Sequence, residues 1–216
     1  MSKIFCLRFI FVLYYGKIGE VSSMGREFEL KYAANPEQQD ALQRDFSLNW
    51  QKFAMETTYY DTAAGDLGLL HWTLRRRFEN GRSVCTVKTP DIDGGRGEWE
   101  LECDNILDAI PELCKLGAPN TLMICAAMGV QEVCGARFTR QAAALEIEGA
   151  VVEIALDRGV LTGGGKEIPL CEIEVEVKDG SDAAAIAFAA ALAEKYGLTA
   201  EHRSKYRRAL TLAKEI

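Results

Sequence analysis

The sequence predicts an α+β protein built on one antiparallel sheet of about eight strands, an eight-stranded β-barrel that is closed or nearly closed, with helices inserted and appended. Three features predict it. Segments that alternate charged and apolar residues recur, from Glu27-Phe28-Glu29-Leu30-Lys31 to Glu172-Ile173-Glu174-Val175-Glu176-Val177, which is the period of a two-faced strand. Glycine-bearing turn signals stand between such segments at Glu79-Asn80-Gly81, Glu148-Gly149 and Gly163-Gly164-Gly165. Helix signals are confined to a few places between and after the strands.

The elements follow in order. Glu27 to Lys31 is the first strand, with Phe28 and Leu30 on one face and Glu27, Glu29 and Lys31 on the other. Asn35-Pro36-Glu37 starts a helix: a capping side chain, then Pro at the first position, then an acid near the positive end. Leu42, Phe46 and Trp50 line one side of it. Met55 to Asp61 is rich in strand formers and ends in a turn through Asp61-Thr62. Leu69 to Phe78 and Val84 to Thr89 flank Glu79-Asn80-Gly81 as a hairpin, and Arg96 to Cys103 follows the Gly94-Gly95 loop as a fifth strand. Asp104 to Met128 reads as helical, interrupted at Pro111 and at Gly117-Ala118-Pro119. Val133 to Ile147, Val151 to Asp157 and Leu170 to Lys178 are the later strands. Ser181 caps an Ala-rich helix that runs to Tyr196 and ends at Gly197. A last helix spans roughly Arg203 to Lys214.

At 216 residues the chain is long enough for one well-buried domain. A net charge of -7 argues against a nucleic-acid partner. The seven cysteines are scattered without a CxxC, as expected of reduced thiols in a cytoplasmic protein. The apolar run Phe9 to Tyr15 is too short to span a bilayer as a helix. Composition breaks before Met24, so residues 1–23 are expected to be an extension outside the fold, and 24–216 the domain itself.

Charge is segregated by strand. Arg75 and Arg77 share a face of the third strand, and Lys88 lies on the fourth. Arg96, Glu98, Glu100 and Glu102 share the fifth, Arg140 lies on the sixth, Glu153 and Asp157 on the seventh, and Glu172, Glu174 and Glu176 on the eighth. Such faces ordinarily meet water. Here the opposite faces are apolar (Leu74, Val87, Ile154, Ile173, Val175), and the helices need apolar partners. Two arrangements follow: an ordinary barrel with its charged faces in water, or helices outside and charges inside, which would make a wet, ligand-accepting channel. Arg and Lys suit phosphate oxygens, and clustered carboxylates suit Mg²⁺ or Mn²⁺.

The order of motifs resembles the CYTH family, the triphosphate tunnel metalloenzymes. They are Glu27-x-Glu29-x-Lys31, Tyr59-Tyr60-Asp61-Thr62, Leu74-Arg75-Arg76-Arg77, Thr86-Val87-Lys88, Ile154-Ala155-Leu156-Asp157, the Glu-x-Glu-x-Glu strand and Ser204-Lys205. The resemblance implies a solvent-open tunnel of eight strands. It implies metal ligation by Glu27 and Glu29 and by a pair on the last strand, Glu174 with Glu176 or Glu172 with Glu174, with Asp157 as a further acid. Lys31, Arg75, Arg77, Lys88, Arg140 and Lys205 match its phosphate-binding positions, and Lys31 and Glu29 would carry the catalysis. Lys205 is expected to point inward from a helix closing one side of the tunnel, with little effect on stability. Tyr59 and Tyr60 are expected to pack in the core. The implied activity is metal-dependent hydrolysis of a triphosphate-containing small molecule: inorganic triphosphate first, then thiamine triphosphate or another organic triphosphate. The alternatives are a class IV adenylyl cyclase making cyclic AMP from ATP, and a polyphosphate-binding module without turnover.

Overall fold

The computed structural model describes residues 28–90 and 96–214. Glu27 and the expected 1–23 extension lie outside the described residues. The elements run β1 (Glu29–Ala33), α1 (Pro36–Asp45), β2 (Gln51–Thr62), α2 (Asp66–Leu69), β3 (Thr73–Glu79), β4 (Arg82–Pro90), β5 (Arg96–Glu102), α3 (Ile106–Lys115) and α4 (Thr121–Met128). They continue with β6 (Val130–Ile147), β7 (Ala150–Gly163), β8 (Lys166–Gly180), α5 (Asp182–Tyr196), β9 (Thr199–Ala200) and α6 (Lys205–Lys214).

Local chemistry accounts for most boundaries. Asn35 accepts from the Gln38 backbone while the Gln38 side chain accepts from the Asn35 backbone, a reciprocal cap at 2.9 and 2.8 Å. Asn80 and Gly81 take φ of 47° and 89°, the left-handed pair that a two-residue hairpin turn requires. The expected strand from Leu69 is corrected to the short helix α2 followed by β3. The cause is Asp61, whose carboxylate accepts from the backbone amides of Leu67 at 2.9 Å and Gly68 at 3.0 Å. A carboxylate on the first turn satisfies orphan amides and winds a segment that its own composition leaves extended.

The sheet is antiparallel, in the order β5-β4-β3-β2-β6-β7-β8-β1-β9. Among the described residues it has nine strands rather than eight, because Thr199 and Ala200 pair with Ala33 and Tyr32 on β1. The hydrogen-bonded order is open, with β5 and β9 at its ends. It is nonetheless strongly curled. Lys88 on β4 and Glu29 on β1 line the same cavity, although six strand intervals separate those strands, about 29 Å in a flat sheet at about 4.8 Å each.

The outer faces are apolar and meet helices, as expected. Leu74, Cys85 and Val87 pack with Ile106, Ile110 and Leu113 of α3 and Leu122 of α4. Ile154, Ile173 and Val175 pack with Ala185, Ala189 and Leu192 of α5 and Leu42 of α1. The third cluster lies on the concave face, where Met55, Phe138, Leu161 and Leu170 receive Tyr206 and Ala209 of α6. A Cβ at Gly163 would stand 2.5 Å from the Ala209 carbonyl oxygen, so glycine there lets the backbone of α6 lie directly on β7.

Candidate active site in the concave trough

A cavity of about 100 Å³ lies on the concave face. Its cationic wall carries Arg75 and Arg77 of β3 and Lys88 of β4, and the facing wall carries Glu29 and Lys31 of β1, Glu174 and Glu176 of β8 and Arg140 of β6. Ser204, Lys205 and Tyr206 at the start of α6, with Tyr59 of β2 and Thr73 of β3, complete the lining. Period-two alternation puts all these strand residues on one face. Glu98 of β5 sits against the cationic wall, 3.0 Å from Lys88 and 3.7 Å from Arg75. Arg77 lies deeper. Burial, and then the neighbouring Arg75 charge, push its guanidinium down to about 10.

The acidic wall is built in register rows. Arg140, Asp157 and Glu172 form one row across β6, β7 and β8. Arg140 holds Asp157 through two parallel bonds, Nε to Oδ1 and Nη2 to Oδ2, each 2.8 Å, and also reaches Glu174. Asp157 and Glu172 are completely buried. One carboxylate oxygen from each of Asp157, Glu172 and Glu174 lies within 4.8 Å of the others. Lys205 enters that trio from α6, with Nζ 2.8 Å from both Asp157 Oδ2 and Glu174 Oε1 and also against Glu172. Arg208, one turn on, pairs with Glu172. Burial and the adjacent Glu174 charge push the Glu172 carboxyl above its ordinary value despite Lys205 and Arg208. Burial opposes ionisation of Glu174 too, but Lys205 and Arg140 outweigh it and hold that carboxyl well below the usual range.

A second row sets three carboxylates side by side. Glu29 stands opposite Glu176 across β1 and β8, and Glu176 opposite Glu153 across β8 and β7. Lys178 reaches Glu176 at 2.8 Å and Glu153 at 3.6 Å, and Lys31 reaches Glu29 at 3.8 Å. Like charges directly across strands repel. Although the oxygens of this row do not meet as closely as those of the buried trio, Glu29 and Glu176 bring hard oxygen donors to the cavity, the type that suits a divalent cation keeping several waters. The buried trio suits one less well, because the Lys205 ammonium already stands among its oxygens.

The whole domain also matches known proteins. The CYTH domain family matches residues 25–210. The chain belongs to the CYTH family. Inorganic triphosphatase from Haemophilus influenzae (strain ATCC 51907 / DSM 11121 / KW20 / Rd) is 27% identical over 164 residues, which are 73% of this chain and 47% of that protein. The chain therefore spans about half the length of this curated relative. The PH1819 protein from Pyrococcus horikoshii OT3 superposes with a TM-score of 0.59 at 26% identity, over 86% of this chain and 99% of that one. HpAC1 from Hippeastrum, an adenylyl-cyclase candidate whose dominant activity is that of a triphosphatase, superposes with a TM-score of 0.60 over 89% and 98%. At 19% identity it shows the same fold.

Within this CYTH domain the anticipated residues divide into three groups. Glu29, Lys31, Arg75, Arg77, Lys88, Arg140, Glu174, Glu176 and Lys205 converge on the cavity. Asp157 and Glu172 lie buried beneath it, ion-paired with Arg140, Lys205 and Arg208. Glu27 lies outside the described residues. Tyr59 packs in the core against Tyr206, with ring centroids 5.1 Å apart, and also lines the cavity. Arg208 was missed because helical spacing alone does not show which face of α6 enters the trough. Glu153 was legible on the charged face of its strand, but its row partner Glu176 emerges only from the register.

Proposed function

We propose that this CYTH domain hydrolyses a phosphoanhydride bond of a triphosphate, with inorganic triphosphate the first candidate and thiamine triphosphate or another organic triphosphate next. One observation carries the reading: a cationic wall of Arg75, Arg77 and Lys88 faces the Glu29–Glu176 carboxylate row across a single cavity. A polyanion bound through divalent metal fits both walls at once. The residues Glu29, Glu174 and Glu176, with Glu153 at the edge, would hold Mg²⁺ or Mn²⁺, which supplies charge neutralisation on phosphate oxygens and activation of water. Arg75, Arg77, Lys88 and Lys31 bind and orient the phosphates, and their fixed positive charge stabilises charge that builds as the phosphoryl group transfers. Arg140 is held at the cavity edge by Asp157 and Glu174, which leaves its Nη1 donors for the ligand, while Lys205, engaged by Asp157, Glu172 and Glu174, contributes fixed positive charge. The six cysteines among the described residues are free thiols, and no described helix is long and apolar enough to cross a membrane. The free thiols support our proposal of a cytoplasmic setting.

A second cavity favours keeping organic triphosphates in view. It holds about 580 Å³, shares Thr73, Ser204 and Tyr206 with the trough, and is lined by His71, Trp72 and His202. Initial rates with inorganic triphosphate, thiamine triphosphate and ATP, read as released phosphate, rank these substrates. Inorganic triphosphate is expected to show the highest kcat/KM. Cyclic AMP as the main product from ATP would replace hydrolysis by the cyclase reading.

Arg77 gives a separate test. A base whose folded pKa is depressed carries a charge that destabilises the folded state at neutral pH. Arg77→Met is therefore expected to raise Tm by roughly 2 °C or more while weakening triphosphate binding about thirtyfold. Thermal melts and calorimetric titration read the two effects. A fall in Tm would show that Arg77 is structural.

A further inference from the structure

One buried side chain on the outer side of the sheet reaches the row of acids beneath the trough. Gln39 of α1 is 2% exposed, although its neighbour Leu42 joins an apolar cluster with Ile154, Leu156, Ile173 and Val175. The Gln39 Nε2 donates to the backbone carbonyl of Asp157 at 3.0 Å and to that of Glu172 at 2.9 Å. Those two residues stand directly opposite each other across β7 and β8, and Asp157 stands opposite Arg140 of β6. The amide thus holds the backbone of the row whose side chains carry charge into the concave side.

The amide is oriented from its other end. Arg158 Nε donates to Gln39 Oε1 at 3.0 Å, and Arg158 Nη2 donates to the Pro36 carbonyl at 3.1 Å and to Asp40 Oδ1 at 2.8 Å. A guanidinium only donates, so the oxygen of Gln39 faces it and the amide protons face the two carbonyls. Packing does not account for this residue. Leucine at 39, as at 42, would fill an apolar interface without taking an amide out of water. On the concave side the row does have something to resist. Carboxylate oxygens of Asp157, Glu172 and Glu174 lie within 4.8 Å of one another, and like charges that close repel. Two hydrogen bonds that bridge β7 and β8 from behind oppose any spreading of the strands at that row.

We propose that Gln39 is a positioning residue for the trough. By tying β7 to β8 behind Asp157 and Glu172 it fixes Asp157, and through the two parallel bonds between Arg140 and Asp157 it aims the Arg140 guanidinium at the ligand. The inference rests on the triphosphate reading and adds to it a residue on the opposite side of the sheet from the substrate.

The test uses the full chain with a chelator, so that metal binding does not contribute, and inorganic triphosphate as the calorimetric probe. Ionic strength is set at about 0.15 M, where exposed charges more than about 8 Å apart are largely screened. Gln39→Met keeps the length of the side chain and removes the amide. It is expected to weaken binding about tenfold, the contribution of one misdirected hydrogen bond to a charged group. Gln38→Ala is the control. It removes the reciprocal cap with Asn35 and the bonds to the Tyr196 and Gly197 carbonyls, which loosens the same helix without touching the row. It is expected to lower Tm and to bind as the parent does. Arg158→Met, at an exposed position, frees the amide to turn and is expected to weaken binding about threefold, and it decides the matter if Gln39→Met does not fold. Parental affinity in Gln39→Met, or in Arg158→Met where it must stand in, overturns the positioning role and leaves the triphosphate reading standing. Equal weakening in Gln38→Ala also overturns it, because loosening α1 would then suffice. Failure of the parent to bind triphosphate removes the reading and the positioning role together.

Discussion

Glu29→Gln is expected to abolish metal-dependent phosphate release, by on the order of a hundredfold or more, while the protein stays folded. Glu29 is an exposed residue at the start of β1, opposite Glu176. Glutamine keeps its volume, removes a hard anionic donor and relieves the repulsion in the Glu29–Glu176–Glu153 row, so Tm is expected to hold or rise slightly. The variant retains Arg75, Arg77 and Lys88 and is expected to bind triphosphate still, with little response to Mg²⁺. Phosphate release across a Mg²⁺ titration, paired with calorimetry, separates loss of metal from loss of substrate. Undiminished Mg²⁺-dependent release in Glu29→Gln would contradict the assignment of that row to metal.

Lys205→Met is expected to destabilise the protein by about 3–5 kcal/mol, the cost of leaving buried charge uncompensated. This revises the expectation drawn from the sequence, in which Lys205 faces a wet tunnel with little effect on stability. The ammonium is buried and touches Asp157, Glu172 and Glu174. The pH dependence has a definite sign. Lys205 is the foremost charge holding the Glu174 carboxyl below its ordinary value. A carboxylate with a depressed pKa contributes stability above its unfolded value, about 4.3 for Glu, and loses it as pH falls. Glu172, pushed upward, works in the opposite direction. Without Lys205 both acids take up protons more readily. The stability gap between parent and variant should therefore be wider at pH 8 than at pH 5. Denaturant unfolding at the two pH values measures it; equal stability at pH 8 would show that Arg140 and Arg208 suffice to balance the trio.

Much of the fold was legible because its signals are local. The parity of charged and apolar residues separated the concave from the convex face, and the Asn35, Ser181 and Gly197 signals marked helix ends that the structure shows. What escaped depends on distant partners. Helix α2 forms because Asp61 caps it, and the same carboxylate accepts from Tyr206 of α6 at 3.2 Å, a contact across 145 residues. Strand β9 has two residues and exists only through its pairing with β1. The site divides likewise. Residue types and parity placed the arginines, Lys88 and the carboxylates on one face, whereas the insertion of Lys205 and Arg208 among the acids follows from how α6 lies in the trough.

The most direct measurement is phosphate release from inorganic triphosphate by the purified chain, with Mg²⁺ or Mn²⁺ and again with excess chelator. The expected result is stoichiometric orthophosphate and pyrophosphate that appear with either metal and stop on chelation. Triphosphate that binds in the trough yet stays intact with both metals would contradict hydrolysis and leave a polyphosphate-binding module.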